Sequence, residues 1–321
     1  MTRPVIAIGD VNVDMVIQLP DRSVQPVDLS HSEPQVTGGG TVANTATALA
    51  RLGVPVVFAG TIGDDGFGRW IKDDFRREGV LTDGLRALDD RFTPTVIALV
   101  EPDGERYLVI WPTWDGAHHF LRSEHLDRAQ IAEACWLHST GICLRRSPAR
   151  DTILEAMQIA RAAGVPVSFD LNLRVELWGL DDELRGYLTR VIEQCDVVLG
   201  SGTEELIPLT GADSVEAAAR QLCGGRRTVI ARMGADGVLA AIPGQTDLLH
   251  VPAFPVEVIS TVGAGDAFNG GFIAARCAGL DLQEALQWGN ATAALKIRHP
   301  GTRDLPTRAE VEGLIQSAGR A

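Results

Sequence analysis

Residues Ser260 to Phe272, STVGAGDAFNGGF, hold four glycines and one carboxylate where the apolar run VPAFPVEVIS meets another, FIAARCAGL. Glycines at a strand-to-helix junction leave backbone amides free for an anion. The amides of Gly263, Ala264 and Gly265 would form such a site without any cation. Asp266 then falls in the first turn of the helix. It is badly placed to touch a ground-state phosphate, because like charges repel. It is well placed to take a proton from a hydroxyl that attacks the phosphate. The helix dipole predicts an ionised Asp266, ready as a base. Amides that stabilise growing charge, beside a carboxylate that receives a proton, fit phosphoryl transfer to an alcohol. The competing structural reading is a tight glycine turn packed against a helix. The sequence has no G-x-x-x-x-G-K-[ST], and Phe268 takes the place of the third glycine of a dinucleotide fingerprint.

These groups need elements to position them. PVIAIGDVNVDMVIQL reads as a strand with acids and an amide near its end. GGGTVANTATALARLG switches to a helical period: Ala43, Ala46, Ala48, Leu49 and Leu52 form one face, and Gly53 is the stop. VPVVFAGTIG is a strand, and DDGFGRWIKDDFRREGV a helix with Trp70, Ile71 and Phe75 inward. TPTVIALVEPDGERYLVIWP breaks the rhythm with two β-rich runs around a turn signal, a hairpin. With segment 15–37 it would form a small separate sheet, a candidate lid over 15–37 and 92–113. Strand–helix alternation then resumes. VLAAIPGQTDLLHVPAFPVEVIS reads as strand-rich before the glycine stretch, and two more helices finish the chain. The pattern predicts one α/β domain over 1–321, with a mostly parallel sheet covered by helices on both faces. Ligands of such sheets lie outside the carboxyl ends of the strands. Asp14, Gly38 to Gly40, Asp170 to Asn172, Gly202, Gly234 and Gly263 fall at those ends.

The net charge of −13 over 321 residues argues against a nucleic-acid or anionic-membrane partner, because no basic stripe offsets phosphate repulsion. It leaves anionic small molecules open, since a local cluster of amides can bind them. Five scattered cysteines with no C-x-x-C pair indicate neither a disulfide framework nor a zinc site. Asp10, Asn12 and Asp14 interrupt any apolar leader, and no segment approaches a membrane span, so the expectation is a soluble, cytoplasmic protein.

TVGAGDAFNGGF resembles the C-terminal signature of the ribokinase-like (PfkB) family of carbohydrate kinases. GGGTVANTATALARLG, followed by GTIGDDGFGRWIKDDFRREGV, resembles the N-terminal signature of that family, in the family's order. The resemblance spans the chain. It implies a ribokinase-like three-layer α/β/α fold, ATP-dependent sugar phosphorylation, Mg²⁺ use and a base role for Asp266. GDVNVD matches the first family strand, which implies sugar contacts by Asn12 and Asp14; a capped strand end is the structural alternative. In GGGTVAN, Gly39 and Gly40 would let backbone approach the sugar and Asn44 would bond to it, unless Asn44 is only a helix-start cap. DVVLGSGTEELIPLTG aligns with a segment that usually reads N-x-x-E. This puts Glu205 at the position that organises magnesium-bound water, with Gly202 in place of the asparagine; an exposed helix glutamate is the alternative. RMGADG resembles a nucleotide loop, with Arg232 in the basic position and Gly234 and Gly237 retained. WGNATAALKIRHPG resembles the helix beside the adenine, where Asn290 is either a contact or a packing residue. Ser260 stands where many members have an aspartate that helps bind a monovalent cation. A hydroxyl supplies a ligand but no charge, which puts potassium (K⁺) use in question.

FDLNLRVELWG resembles a segment of fructokinases and ketodeoxygluconate kinases. It implies substrate-facing roles for Asp170 and Arg174, with an exposed structural arginine as the alternative for the latter. The acceptor is therefore read as fructose-like or ketodeoxygluconate-like. Trp111, Trp114 and His118, in or beside the lid, show no readable specificity pattern. Two other readings stay open: a nucleoside or ribose kinase of the same fold, which a base-stacking aromatic pair would favour, and a non-catalytic sugar- or nucleotide-binding sensor. Family members often pair through the lid, so a homodimer is a further implication of the resemblance.

Overall fold

The computed structural model describes residues 3–21, 33–102 and 105–319. Its strands are β1 (Val5–Ile8), β2 (Asn12–Gln18), β3 (Gln35–Gly39), β4 (Val56–Gly63), β5 (Leu81–Leu88), β6 (Thr95–Val100), β7 (Arg106–Trp111), β8 (Trp136–Thr140), β9 (Val167–Asp170), β10 (Val197–Ser201), β11 (Thr228–Arg232), β12 (Val238–Ala241) and β13 (Leu249–Val251). The helices are α1 (Thr41–Arg51), α2 (Gly66–Glu78), α3 (Arg128–Ala132), α4 (Ala149–Ala162), α5 (Val175–Trp178), α6 (Asp182–Ile192), α7 (Ile207–Thr210), α8 (Val215–Cys223), α9 (Ala264–Cys277), α10 (Leu282–Lys296) and α11 (Arg308–Ala318). Among the described residues, none of the helices is long and apolar enough to cross a membrane.

The large sheet runs β13-β12-β11-β10-β9-β8-β1-β4-β5 and is parallel except at the two pairings of β12. Side chains alternate across a strand, so a sheet covered on both faces needs apolar residues at successive positions. β1 meets that demand: Ile6 and Ile8 join one core with Leu137, Met157 and Phe169, while Val5 and Ala7 join the other with Phe58 and Phe272. α4, α6 and α8 cover the first face, and α1, α2, α9 and α10 the second. This is the expected three-layer arrangement.

The small sheet, β3-β2-β6-β7, is the smaller separate sheet expected beside the large one. Positions 22–32 of its first segment, and 103–104 of the hairpin turn, lie outside the described residues.

Three element readings change. PVIAIGDVNVDMVIQL is two strands, β1 in the large sheet and β2 in the small one, because Gly9 to Val11 turn between them. Asp10 is spent in that turn on the start of α1. β5 was not foreseen, since its charged, half-exposed residues at the sheet edge hide the strand pattern. The run after β12 yields only the three residues of β13. Beyond it Pro252 and Pro255 remove donors, and 252–258 carries no strand.

Candidate active site

The site gathers at the carboxyl ends of β1, β9, β10 and β11, where α1 and α9 begin. Asp10, just past β1, accepts from the Thr41 amide (2.7 Å), the Thr41 hydroxyl (2.9 Å) and the Val42 amide (3.2 Å). It thus satisfies the first amides of α1 from outside that helix. Gly40 opens the helix at φ 96°; a Cβ there would stand 2.6 Å from Val11 Cα, so only glycine fits this crossing. One turn into α1, Asn44 is buried and makes no cap bond; its Nδ2 donates to Asp266 Oδ2 at 2.8 Å. Its Oδ1 is buried with no partner among the described residues. A buried acceptor left open in this way fits a donor brought by a ligand.

Asn12 and Asp14 alternate along β2, and Asn12 Nδ2 donates to Asp14 Oδ1. β3 pairs beside them, and a Cβ on Gly39 would stand 2.5 Å from the Asp14 carboxylate. Burial pushes the Asp14 carboxyl up to about 6, although the Asn12 bond and the Arg303 charge pull it down. Arg303 holds this edge in place: it donates to the Gly38 carbonyl (3.0 Å) and to Thr47 Oγ1.

Gly263 caps α9 at φ 79°, in the left-handed region. The first amides of a helix have no acceptor within it. The amide of Ala264 donates to the Thr261 carbonyl at 3.1 Å, so of the three amides expected to hold an anion, those of Gly263 and Gly265 are the better placed. Asp266 lies in the first turn as expected, but its carboxyl is not held in the ordinary acidic range. Burial pushes its carboxyl up to about 7, against the Asn44 bond, and the nearby Asp170 and Asp10 push the same way. Desolvation outweighs the helix dipole here.

The other two glycines of the stretch serve packing. A Cβ on Gly270 would come within 2.4 Å of Ala48 Cβ in α1, and one on Gly271 within 2.3 Å of Thr292 Oγ1 in α10. The bareness of Gly270 lets α9 lie close enough to α1 for Asp266 to reach Asn44.

Asp170 and Arg232, the last residues of β9 and β11, form a closed pair rather than two free contacts. Arg232 donates to both Asp170 oxygens, at 2.6 and 2.9 Å, and to Asn269 Oδ1 at 3.0 Å. Asn269 Nδ2 returns a bond to Asp170 at 2.6 Å. Burial alone would raise the Asp170 carboxyl; the Arg232 charge and its bonds hold it below the usual range. The guanidinium carbon lies 3.3 Å from where a Cβ of Gly265 would be, directly against the amide site. Glu205, on a π-helical turn at Gly202–Leu206, is buried, not exposed. Its oxygens accept from the amides of Leu173 and Ser201, each at 2.7 Å. Gly202 has a packing reason, since a Cβ there would meet Val215 at 2.8 Å. Leu173 lies between two residues of positive φ, Asn172 (33°) and Arg174 (48°), and strain of this kind gathers at functional loops. Arg174 is exposed, and its charge lowers the Asp266 pKa.

Asn290 follows its packing reading: Nδ2 donates to the carbonyls of Val251 (3.1 Å) and Pro252 (2.9 Å). Gly237, at φ 84°, is required because a Cβ would strike the Val251 carbonyl at 2.2 Å; Gly234, at φ 60°, faces open space. Trp114 stacks on His119 (6.4 Å between centroids) and lies 6.3 Å from Trp178, an aromatic group the sequence does not reveal because Trp178 is far from the other two in the chain. Among the described residues no three acidic, histidine or cysteine side chains converge as a metal cage. Magnesium commonly takes only one or two carboxylates beside phosphate oxygens and water. Glu205 fits the edge of such a shell, since amides orient both oxygens, with the Arg232 guanidinium 3.8 Å from Oε2.

Asp10, Asn269, Arg303 and Lys296 were missed. Asp10 and Asn269 lie within the quoted motifs, so the signal was present. Lys296 lies within WGNATAALKIRHPG and Arg303 just after it, but only tertiary packing brings either to the site.

A family model described as pfkB family carbohydrate kinase matches residues 2–308. A fructokinase of Vibrio alginolyticus is 34% identical over 281 residues, 85% of this chain and 90% of that one. A 5-dehydro-2-deoxygluconokinase of Bacillus subtilis is 30% identical over 282 residues, 87% of this chain and 86% of that one. The crystal structure of a fructokinase with bound ATP from Xylella fastidiosa superposes with a TM-score of 0.86 at 30% identity, covering 99% of this chain and 100% of that one.

Proposed function

The chain belongs to the pfkB family of carbohydrate kinases, and from that premise we propose that it moves the γ-phosphate of ATP to a primary hydroxyl of a small ketose or keto-sugar acid. The observation that carries this reading is the buried bond between Asn44 and Asp266 at the mouth of α9, with Asn44 Oδ1 left open. Asn12, Asp14 and Asn44 would hold acceptor hydroxyls, with Gly39 and Gly40 admitting the sugar to the backbone. Asp266 would take the proton from the attacking hydroxyl as the new O–P bond forms and the bond to the leaving phosphate oxygen breaks. The Gly263 and Gly265 amides would receive the growing negative charge. Arg232, held by Asp170, would support that site from below, and Arg174 would meet an anionic group of either substrate. Mg²⁺, bound with the nucleotide, would neutralise phosphate charge, with Glu205 reaching its shell through water. Gly234 offers open space for the nucleotide, and the lid would close to exclude water.

The acidic surface speaks against nucleic acid as a partner, and the family supports a cytoplasmic location. A homodimer through the lid is supported by its exposed Tyr107, Leu108, Val109 and Trp111. The second reading, a nucleoside acceptor, has the Trp114, His119 and Trp178 cluster in its favour.

Exchanging Asp266 for Asn tests the assignment. Turnover should fall about a thousandfold or more, the scale of a lost general base, while ATP affinity in calorimetry stays within about threefold. Near-normal turnover by Asp266→Asn would sink the base assignment.

A further inference from the structure

Lys296, the last residue of α10, has none of its surface exposed. Its Nζ has no hydrogen-bond partner among the described residues. An ammonium buried without a partner is costly, and such a charge points to an anion that arrives from outside. Its place says which anion. Lys296 Cε lies 3.6 Å from where a Cβ on Gly263 would stand, beside the residue that opens α9. The carbonyl of the next residue, Ile297, accepts from the amides of Ile259 (2.8 Å) and Ser260 (3.1 Å). The end of α10 and the turn before α9 are therefore tied together. The acids whose charge reaches Lys296 are Asp304 and Asp266.

We propose that Lys296 is the resident cation of the phosphate site, fixed beside the Ser260–Gly263 turn and making a free monovalent cation unnecessary. The proposal rests on the reading of the Gly263 and Gly265 amides as that site. The residues present fit potassium poorly. Ser260 brings a hydroxyl without charge, and a second cation beside the Lys296 ammonium would be repelled. Lys296 acts by its field through the turn, so it is a positioning residue for the transferred phosphate and not a contact of the sugar.

The test uses the whole chain. ADP binding by calorimetry and turnover are measured at one ionic strength in potassium, sodium and tetramethylammonium salts. The wild type should vary less than about twofold across the three, because its cation is built in. Lys296→Met should bind ADP and turn over about tenfold more weakly, the scale of one charge acting across the turn, and should regain part of the loss in potassium. Its melting temperature should rise, since an uncompensated buried charge has been removed. Wild-type activation by potassium of more than about fivefold would overturn the proposal. So would a Lys296→Met chain that binds ADP normally, or one whose weaker binding comes with a lower melting temperature, which marks a merely structural role. The wild-type salt series stands if the variant does not fold, and ADP binding needs no acceptor. Failure of the kinase reading would instead show as no turnover with any sugar.

Discussion

Burial raises the Asp266 carboxyl to about 7, while the Asn44 bond pulls it down. In the free enzyme kcat/KM should therefore fall about tenfold per pH unit below about 7, as protonation removes the base. Asn44→Ala deletes the lowering bond, so this acid limb should move to higher pH and the acceptor KM should rise. A pH-rate series on both proteins checks the shift; an unchanged limb would mean that Asn44 does not tune the base. The sign for stability follows from the same shift. A pKa raised from 3.8 to about 7 contributes stability that is full below 3.8 and lost as pH rises through about 7. Asp266→Asn should then stabilise the fold at pH 8, on the order of 2–4 kcal/mol, and by less at pH 5. Thermal melts at the two pH values measure it. Gained stability with lost turnover is the signature of a group kept for chemistry.

α9 carries Asp266, and its closeness to α1 and α10 sets the distance to Asn44. A methyl at Gly270 would enter the space of Ala48, so Gly270→Ala should cost about 1–3 kcal/mol in chemical denaturation and also lower turnover. Gly202→Asn, which restores the residue usual in the aligned family segment, should cost a similar 1–3 kcal/mol, because Val215 occupies that space. If either variant denatures like the wild type, the packing argument for that glycine fails. These glycines also mark how far the sequence could be read. The stretch from Ser260 to Phe272 was legible as a glycine turn opening a helix with a carboxylate in its first turn, since turn chemistry and helix starts are local. It did not announce that Gly270 and Gly271 are packing sites, because their partners lie in other helices. Asp170 and Arg232 were each legible as residues at strand ends. Their pairing was not, because it depends on strand order across the sheet. The single first strand divided for a like reason: Asp10 turns aside to serve α1, a demand visible only once α1 stands beside it.

Over the whole molecule, the small sheet was legible as a break in the strand–helix rhythm, and it pairs β2 with β6 across many intervening residues. The strand β7 lies at the edge of that sheet and exposes Tyr107, Leu108, Val109 and Trp111. An open apolar edge of this kind invites a second strand. If the lid makes a dimer, Leu108→Asp should yield monomers in sedimentation velocity at concentrations where the wild type pairs; a variant that still pairs would move the interface elsewhere. Which acceptor the closed lid admits depends on pocket walls drawn from the lid and from the Trp114 cluster, and these are the parts least fixed by the shared motifs. The central claim concerns the reaction itself. The measurement that tests it most directly is ADP release from ATP with a panel of fructose, ribose, ketodeoxy-sugar acids and nucleosides, run beside the Asp266→Asn protein. Turnover with a ketose or keto-sugar acid, absent in the variant, is the predicted result. ADP release with none of the panel, or equal release by both proteins, would contradict the account.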